Sequence, residues 1–259
     1  MNSTFRRLSL LGAFAALISQ AQASVPVQWP DCNCSDPAYK QLILGYSMDN
    51  ISTGTYASIP PSFTSPLLTA SNIQGPSGVK VAAAGGAGNQ VGCFYGFPSN
   101  GSTGTIGFKL EYTAAQMAEF CGLTFKVASE GDSYKHGPTQ LFVDIFANGT
   151  KVWQSETITL TPGFGNQVLF DIANPDGNNA DGDGFSFTGS DFSWRQLTAG
   201  DSLQFSIRAS GANSSMNGID IDSVNVTACV VPEPGSALLL GSVGFLTVLR
   251  RRRSLSTRR

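Results

Sequence analysis

The feature that most constrains this chain is an apolar side chain at every second position, repeated in segment after segment. "TIGFKLEY" puts Ile106, Phe108, Leu110 and Tyr112 on one side of an extended backbone, and "LTFKV" does the same with Leu123, Phe125 and Val127. "DSLQFSIRAS" aligns Leu203, Phe205 and Ile207. Successive side chains of a strand point to opposite faces, so a period of two buries one face of a sheet and leaves the other to water. "QLFVDIFANGTKVWQSETITL" reads as a hairpin: Leu141, Val143 and Ile145 alternate against Phe142, Asp144 and Phe146, "NGT" turns the chain, and it returns from Val152. In the closing "GIDIDSVNVTA", Ile219 and Ile221 share one parity and Val224 and Val226 the other, which predicts a β-bulge near Asp222–Ser223. Only "YTAAQMAEF", Tyr112 to Phe120, looks helical, as a turn or two. A sheet with one apolar face must stack that face on another. The expectation is an all-β, antiparallel sandwich.

Both ends of the chain depart from this pattern. Arg6 and Arg7 precede an apolar run from Leu8 to Ile18, and Ala21 and Ala23 then supply an A-x-A step, which predicts a signal peptide over residues 1–23 and a mature start at Ser24. About 11 apolar residues fall short of the ~20 that a permanent span requires. At the other end, Ala237–Leu249 is apolar or small throughout and is followed by Arg250, Arg251, Arg252 and Arg253. Counted back to Pro234, the run is roughly 16 residues, or ~24 Å of helix against a hydrocarbon core of ~30 Å. It is a marginal single transmembrane helix whose arginines favour a cytoplasmic end.

Setting these ends aside changes the electrostatics. The full chain carries 16 basic and 18 acidic residues, but eight of the basic ones are arginines of the two ends. The stretch between them holds eight basic residues against all 18 acidic ones, a net charge of −10. Such a body offers nucleic acid no phosphate-binding patch, so nucleic acid is excluded as a partner. All five cysteines, Cys32, Cys34, Cys93, Cys121 and Cys229, fall in the exported part, where pairing is the default. Cys93 and Cys121 lie mid-body, Cys229 could tie the last strand to Cys32 or Cys34, and the odd count leaves one thiol over.

Val231-Pro232-Glu233-Pro234, a Gly/Leu-rich short span and an arginine cluster, in that order, resemble the PEP-CTERM sorting signal of bacterial surface proteins. The resemblance covers about 25 residues beside a chain of 259 and implies an address. It implies recognition and cutting near Pro-Glu-Pro by exosortase, membrane anchoring through the C-terminal helix until then, and delivery to the cell surface or an exopolysaccharide matrix. The implied organisation is a signal peptide over 1–23, a β-sandwich extracellular domain over 24–230, the sorting signal over 231–253 and a basic tail over 254–259. The strand pattern of the body resembles, more weakly, the jelly-roll or lectin-like sandwiches of carbohydrate-binding modules, which implies extracellular polysaccharide as a ligand.

Chemistry-bearing motifs are few. "NPDGNNADGDG" concentrates Asp176, Asn179, Asp181 and Asp183 on a tightly turning loop, an oxygen-ligand set suited to structural Ca²⁺. Asn179, Asp181, Asp183 and Gly184 fit the first half of an EF-hand-like loop, but the twelfth position is Ser190 and Asp191 comes one residue late. A polar loop that merely turns is the competing reading. Asp220 and Asp222 share one side of the closing strand and form a weaker cation candidate. His136, the sole histidine, has no G-x-S-x-G elbow to serve. Glu111, Glu119, Glu130 and Glu156 are carboxylates without a shared glycosidase signature. The expectation is therefore a non-catalytic protein that requires no cofactor. Trp153, Trp194, Tyr46, Tyr95 and Tyr134 are the rings available to stack on a sugar.

Overall fold

A computed structural model describes residues 32, 34, 39–49, 51–83, 90–163, 166–172 and 192–230. The signal-peptide residues Ala21, Ala23 and Ser24, the sorting motif Val231–Pro234, the span after it, Arg250–Arg253 and the Asp176–Asp183 loop lie outside the described residues. Among the described residues no helix is long and apolar enough to cross a membrane.

Among the described residues fifteen strands run in order: β1 (Lys40–Tyr46), β2 (Gly54–Tyr56), β3 (Phe63–Thr64), β4 (Leu68–Ala70), β5 (Val79–Ala83), β6 (Gln90–Phe94), β7 (Gly104–Tyr112), β8 (Ala118–Ser129), β9 (Gln140–Ala147), β10 (Thr150–Gln154), β11 (Ile158–Thr159), β12 (Val168–Asp171), β13 (Gln196–Leu197), β14 (Ser202–Ser210) and β15 (Ile219–Val230). The larger sheet follows the path β12-β8-β15-β6-β5-β2, with β1 also on β15, β3 on β1 and β13 on β8. The smaller follows β10-β9-β14-β7-β4, with β11 on β9. Every named strand pair is antiparallel.

The inner faces meet as the alternation requires. Ile106, Phe108, Leu110 and Tyr112 of β7 are buried, as are Leu123, Phe125 and Val127 of β8 and Leu203, Phe205 and Ile207 of β14. Rings cross the interface: Tyr46 packs on Phe108 at 5.1 Å between centroids and Phe120 on Phe205 at 5.7 Å. This is the β-sandwich that the sequence predicts. The β9–β10 hairpin closes at Asn148 and Gly149, both with positive φ (49° and 81°), the backbone sense a two-residue turn needs to match strand twist.

The bulge in β15 falls where the parity change puts it. Pairing with β8 shifts register between Asp222 and Asn225, and Ser223 has a φ of 52°. It separates two duties of one strand. Ile219–Ile221 pair with β6, whereas Val224–Cys229 pair with β1. Tyr112–Phe120 corrects the helical expectation: β7 runs through Tyr112 and β8 begins at Ala118. The backbone N–H groups of Thr113 and Ala114 donate to the Leu67 carbonyl, and the Tyr112 hydroxyl donates to Gln116 O at 2.8 Å. Bonds to a neighbouring segment replace those a helical turn would make.

Disulfides join Cys32 to Cys121 and Cys34 to Cys229, tying the N-terminal segment to the adjacent strands β8 and β15. Cys93, counted among the pairing candidates, is instead the free thiol. Cys32 arrives beside Cys121 (Cα–Cα 5.1 Å) and Cys34 beside Cys229 (5.7 Å), which leaves it no partner.

Candidate functional site

Strand register lines up a row of side chains across the larger sheet. Asp220 on β15 faces Cys93 on β6, Cys93 faces Lys80 on β5, and Lys80 faces Thr55 on β2. Directly opposed residues share a face. Their sequence neighbours Ile219, Ile221, Phe94, Val79 and Val81 fill the core, so the row lies on the outer face. Lys80 and Thr55 are exposed there, yet Cys93 and Asp220 are only 5% and 8% exposed. Something must cover them.

The cover is a pair of interlaced loops, 130–139 between β8 and β9 and 211–218 between β14 and β15. The Asn213 side chain accepts from His136 N at 2.7 Å and donates to Tyr134 O, and the Asn217 amide donates to Lys135 O. Asp132 accepts from the backbone N–H groups of Tyr134 and Lys135, which hold its carboxyl below the usual range. Glu130 and Gly218 exchange bonds: Gly218 N donates to Glu130 Oε2 at 3.0 Å and Glu130 N donates to Gly218 O at 3.1 Å. Gly218 can be no other residue. A Cβ there would lie 2.1 Å from Phe94 O and 2.9 Å from Cys93 Sγ. The loop thus presses bare backbone onto the thiol.

Beneath the cover, Cys93 Sγ and a carboxylate oxygen each from Glu130 and Asp220 lie within 4.8 Å of one another. Burial, then the charge of Glu130, pushes the Asp220 carboxyl up to about 7, with a hydrogen bond from Cys93 acting weakly against them. Burial, followed by the charge of Asp220, pushes the Cys93 thiol well above its ordinary value. Cys93 and Glu130 also line a pocket of about 340 Å³, walled by Thr55, Lys80, Tyr95 and Ser215 with Met216 at hand. Met216 and, on the neighbouring loop, Tyr134 are 89% and 86% exposed.

The sequence-derived candidates distribute unevenly around this site. Asp220 belongs to it; Asp222 is half-buried, accepts from the Ser223 hydroxyl and faces Lys126 across the sheet. His136 braces the cover through its backbone, and its Nδ1 lies 2.8 Å from Gly137 O. The four glutamates sit apart: Glu111 is exposed on β7, Glu119 pairs with Arg195 at 2.9 Å, Glu156 is exposed after β10, and Glu130 has Asp220 as its carboxylate neighbour. Of the aromatic rings, Trp153 and Tyr46 are core, while half-buried Trp194 lines a second recess of about 240 Å³ with Asn148 and Asp201. Of the five, Tyr95 lines the covered pocket, and Tyr134 is exposed on the covering loop. Sequence reasoning did not join Cys93 and Glu130 to Asp220. The odd cysteine was the available signal, but its partners lie 37 and 127 positions away along the chain and only strand register unites them.

No protein-family model matches the chain, and no curated protein sequence does. Among solved structures, the chain is similar to TmCBM27, a carbohydrate-binding module described for specific mannan recognition, at 12% identity and a TM-score of 0.35, over 73% of this chain and 97% of that one. It is also similar to a Paenibacillus sp. cycloisomaltooligosaccharide glucanotransferase complexed with cycloisomaltoheptaose, at 11% identity and a TM-score of 0.29, over 70% of this chain and 18% of that one. At these scores neither likeness bears on what this chain binds.

Proposed function

We propose that this is an exported surface protein whose sandwich, a jelly-roll-like module, binds polysaccharide in an extracellular matrix without cleaving it. The observation that carries the reading is the outer-face pocket. Tyr95 lines it together with Thr55, Ser215, Lys80 and Glu130. A ring for a sugar face and convergent polar groups for its hydroxyls are what glycan recognition needs. Two disulfides support an oxidising destination. The Pro232–Pro234 motif and the arginines after it support sorting by exosortase.

The test is a glycan array with the secreted protein and its Tyr95→Ala variant. Saturable binding to a polysaccharide, weakened at least tenfold by the substitution, is the expected result. Absence of saturable binding, or binding indifferent to Tyr95→Ala, removes the reading. The address is tested separately. Co-expression with an exosortase should yield a product cut near Pro232–Pro234, and Glu233→Ala should abolish the cut.

A second reading, polysaccharide cleavage, has one observation in its favour. The Glu130 and Asp220 carboxylates approach within 4.8 Å, and Asp220 keeps a proton up to about pH 7, as a general acid would. Release of reducing ends, lost in both Glu130→Gln and Asp220→Asn, would replace the binding reading with this one.

A further inference from the structure

Cys93, Glu130 and Asp220 are brought together from β6, the loop that follows β8, and β15, and nothing in the glycan-binding reading uses the first or the last. We propose that they form a binding site for a thiophilic divalent cation of the zinc class. One sulfur and two carboxylate oxygens lie within 4.8 Å of one another, a spacing that lets all three meet a single ion. Zinc-class ions accept this mixture of thiolate and carboxylate, whereas calcium and magnesium select oxygen alone.

A second observation points the same way. Asp220 is more than nine-tenths buried, and its carboxylate reaches into the cluster. Among the described residues no ion pair involves it, no N–H group donates to it, and the Cys93 thiol is its one hydrogen-bonding neighbour. No ion pair among the described residues involves either carboxylate, and burial penalises such unpaired charge. A divalent ion would offset that charge. On binding, the Cys93 S–H bond breaks, the sulfur lone pair goes to the metal and the proton leaves to solvent.

The site would have three protein ligands and a fourth position on the side of the pocket that Cys93 and Glu130 line, towards Tyr95 and Ser215. Three ligands with an open position mark an ion available to a ligand rather than a purely structural one. The Glu130–Gly218 exchange of bonds then links the ion to the covering loop.

The experiment uses the whole secreted protein, chelator-treated and without reductant so that both disulfides persist. Cobalt(II) is the spectroscopic probe and Zn²⁺ the titrant. Because the other four cysteines are paired, Cys93 is the sole thiol that can give a thiolate-to-cobalt charge-transfer band in the wild-type protein. The expected results are that band at one equivalent of cobalt, its displacement by Zn²⁺, and at least tenfold weaker Zn²⁺ binding in Cys93→Ser and in Asp220→Asn. The wild-type spectrum keeps the test decisive if either variant misfolds. No band with cobalt, Zn²⁺ affinity unchanged in a folded Cys93→Ser protein, or Ca²⁺ bound as tightly as Zn²⁺ would each overturn the proposal.

Discussion

Gly218 carries more of the site than its size suggests. Its backbone bonds both polar ends of Glu130, and a Cβ on it would strike Phe94 O and the Cys93 sulfur, so the covering loop and the strand below it leave no room for a side chain. Gly218→Ala should therefore destabilise the protein by about 2 kcal/mol or more, through displacement of packed backbone. It should also raise the reaction rate of Cys93 with a thiol reagent under native conditions, because the loop must lift. A denaturant titration and a thiol-modification time course check the two parts. An unshifted midpoint would mean that the loop has room the structure does not show.

At the scale of elements, the β9–β10 turn and the turn before β14 are joined by bonds between Asn148 and Ser202 and by one carboxylate. Asp201 accepts from the Asn148 amide at 2.9 Å, and from the Thr198 N–H and hydroxyl at 2.8 and 2.7 Å. These bonds, the Asn148 amide foremost, lower its carboxyl below the ordinary value. A group depressed in the folded state contributes stability above its unfolded value, near 4, and loses that contribution as pH falls through the folded one. Asp201→Ala should thus cost about 1 kcal/mol at neutral pH and progressively less in acid, with the gap closing as pH falls through the lowered folded value. Melting temperatures across that range measure it; a constant gap would assign the loss to packing. The elements themselves were largely legible. Alternation located β7, β9 and β14, Asn148-Gly149 located a turn, and a change of parity located the bulge in β15, because each is written in adjacent residues. Tyr112–Phe120 misled because "TAAQMA" has helix-forming composition, while its backbone bonds go to Leu67, some 45 residues earlier.

For the molecule as a whole, what sequence could not supply is which strand lies beside which. β15 sits between β8 on one side and β6 and then β1 on the other, and that order alone puts Asp220 against Cys93 and within reach of Glu130. The candidate site is a product of topology, and so are the disulfides. Cys34–Cys229 closes a loop of 195 residues and Cys32–Cys121 one of 89. Cross-links that span this much chain restrict the unfolded ensemble strongly, so reducing both should lower stability by several kcal/mol, about 2–5 for each taken alone. Comparing guanidinium midpoints with and without reductant tests this, and coincident midpoints would show that the sheets hold without them.

The placement of Cys34–Cys229 has a mechanical consequence. Cys229 is one residue from the end of β15, and its bond to Cys34 joins the strand that leaves the sandwich to the segment that enters it. A pull applied between the two ends of the chain would pass through sulfur from Cys229 to Cys34. The ladder between β1 and β15 would bear none of it. Tethered at either end and dragged from the other, the sandwich would ride as slack beside a covalent shunt, keeping its outer-face pocket intact under load.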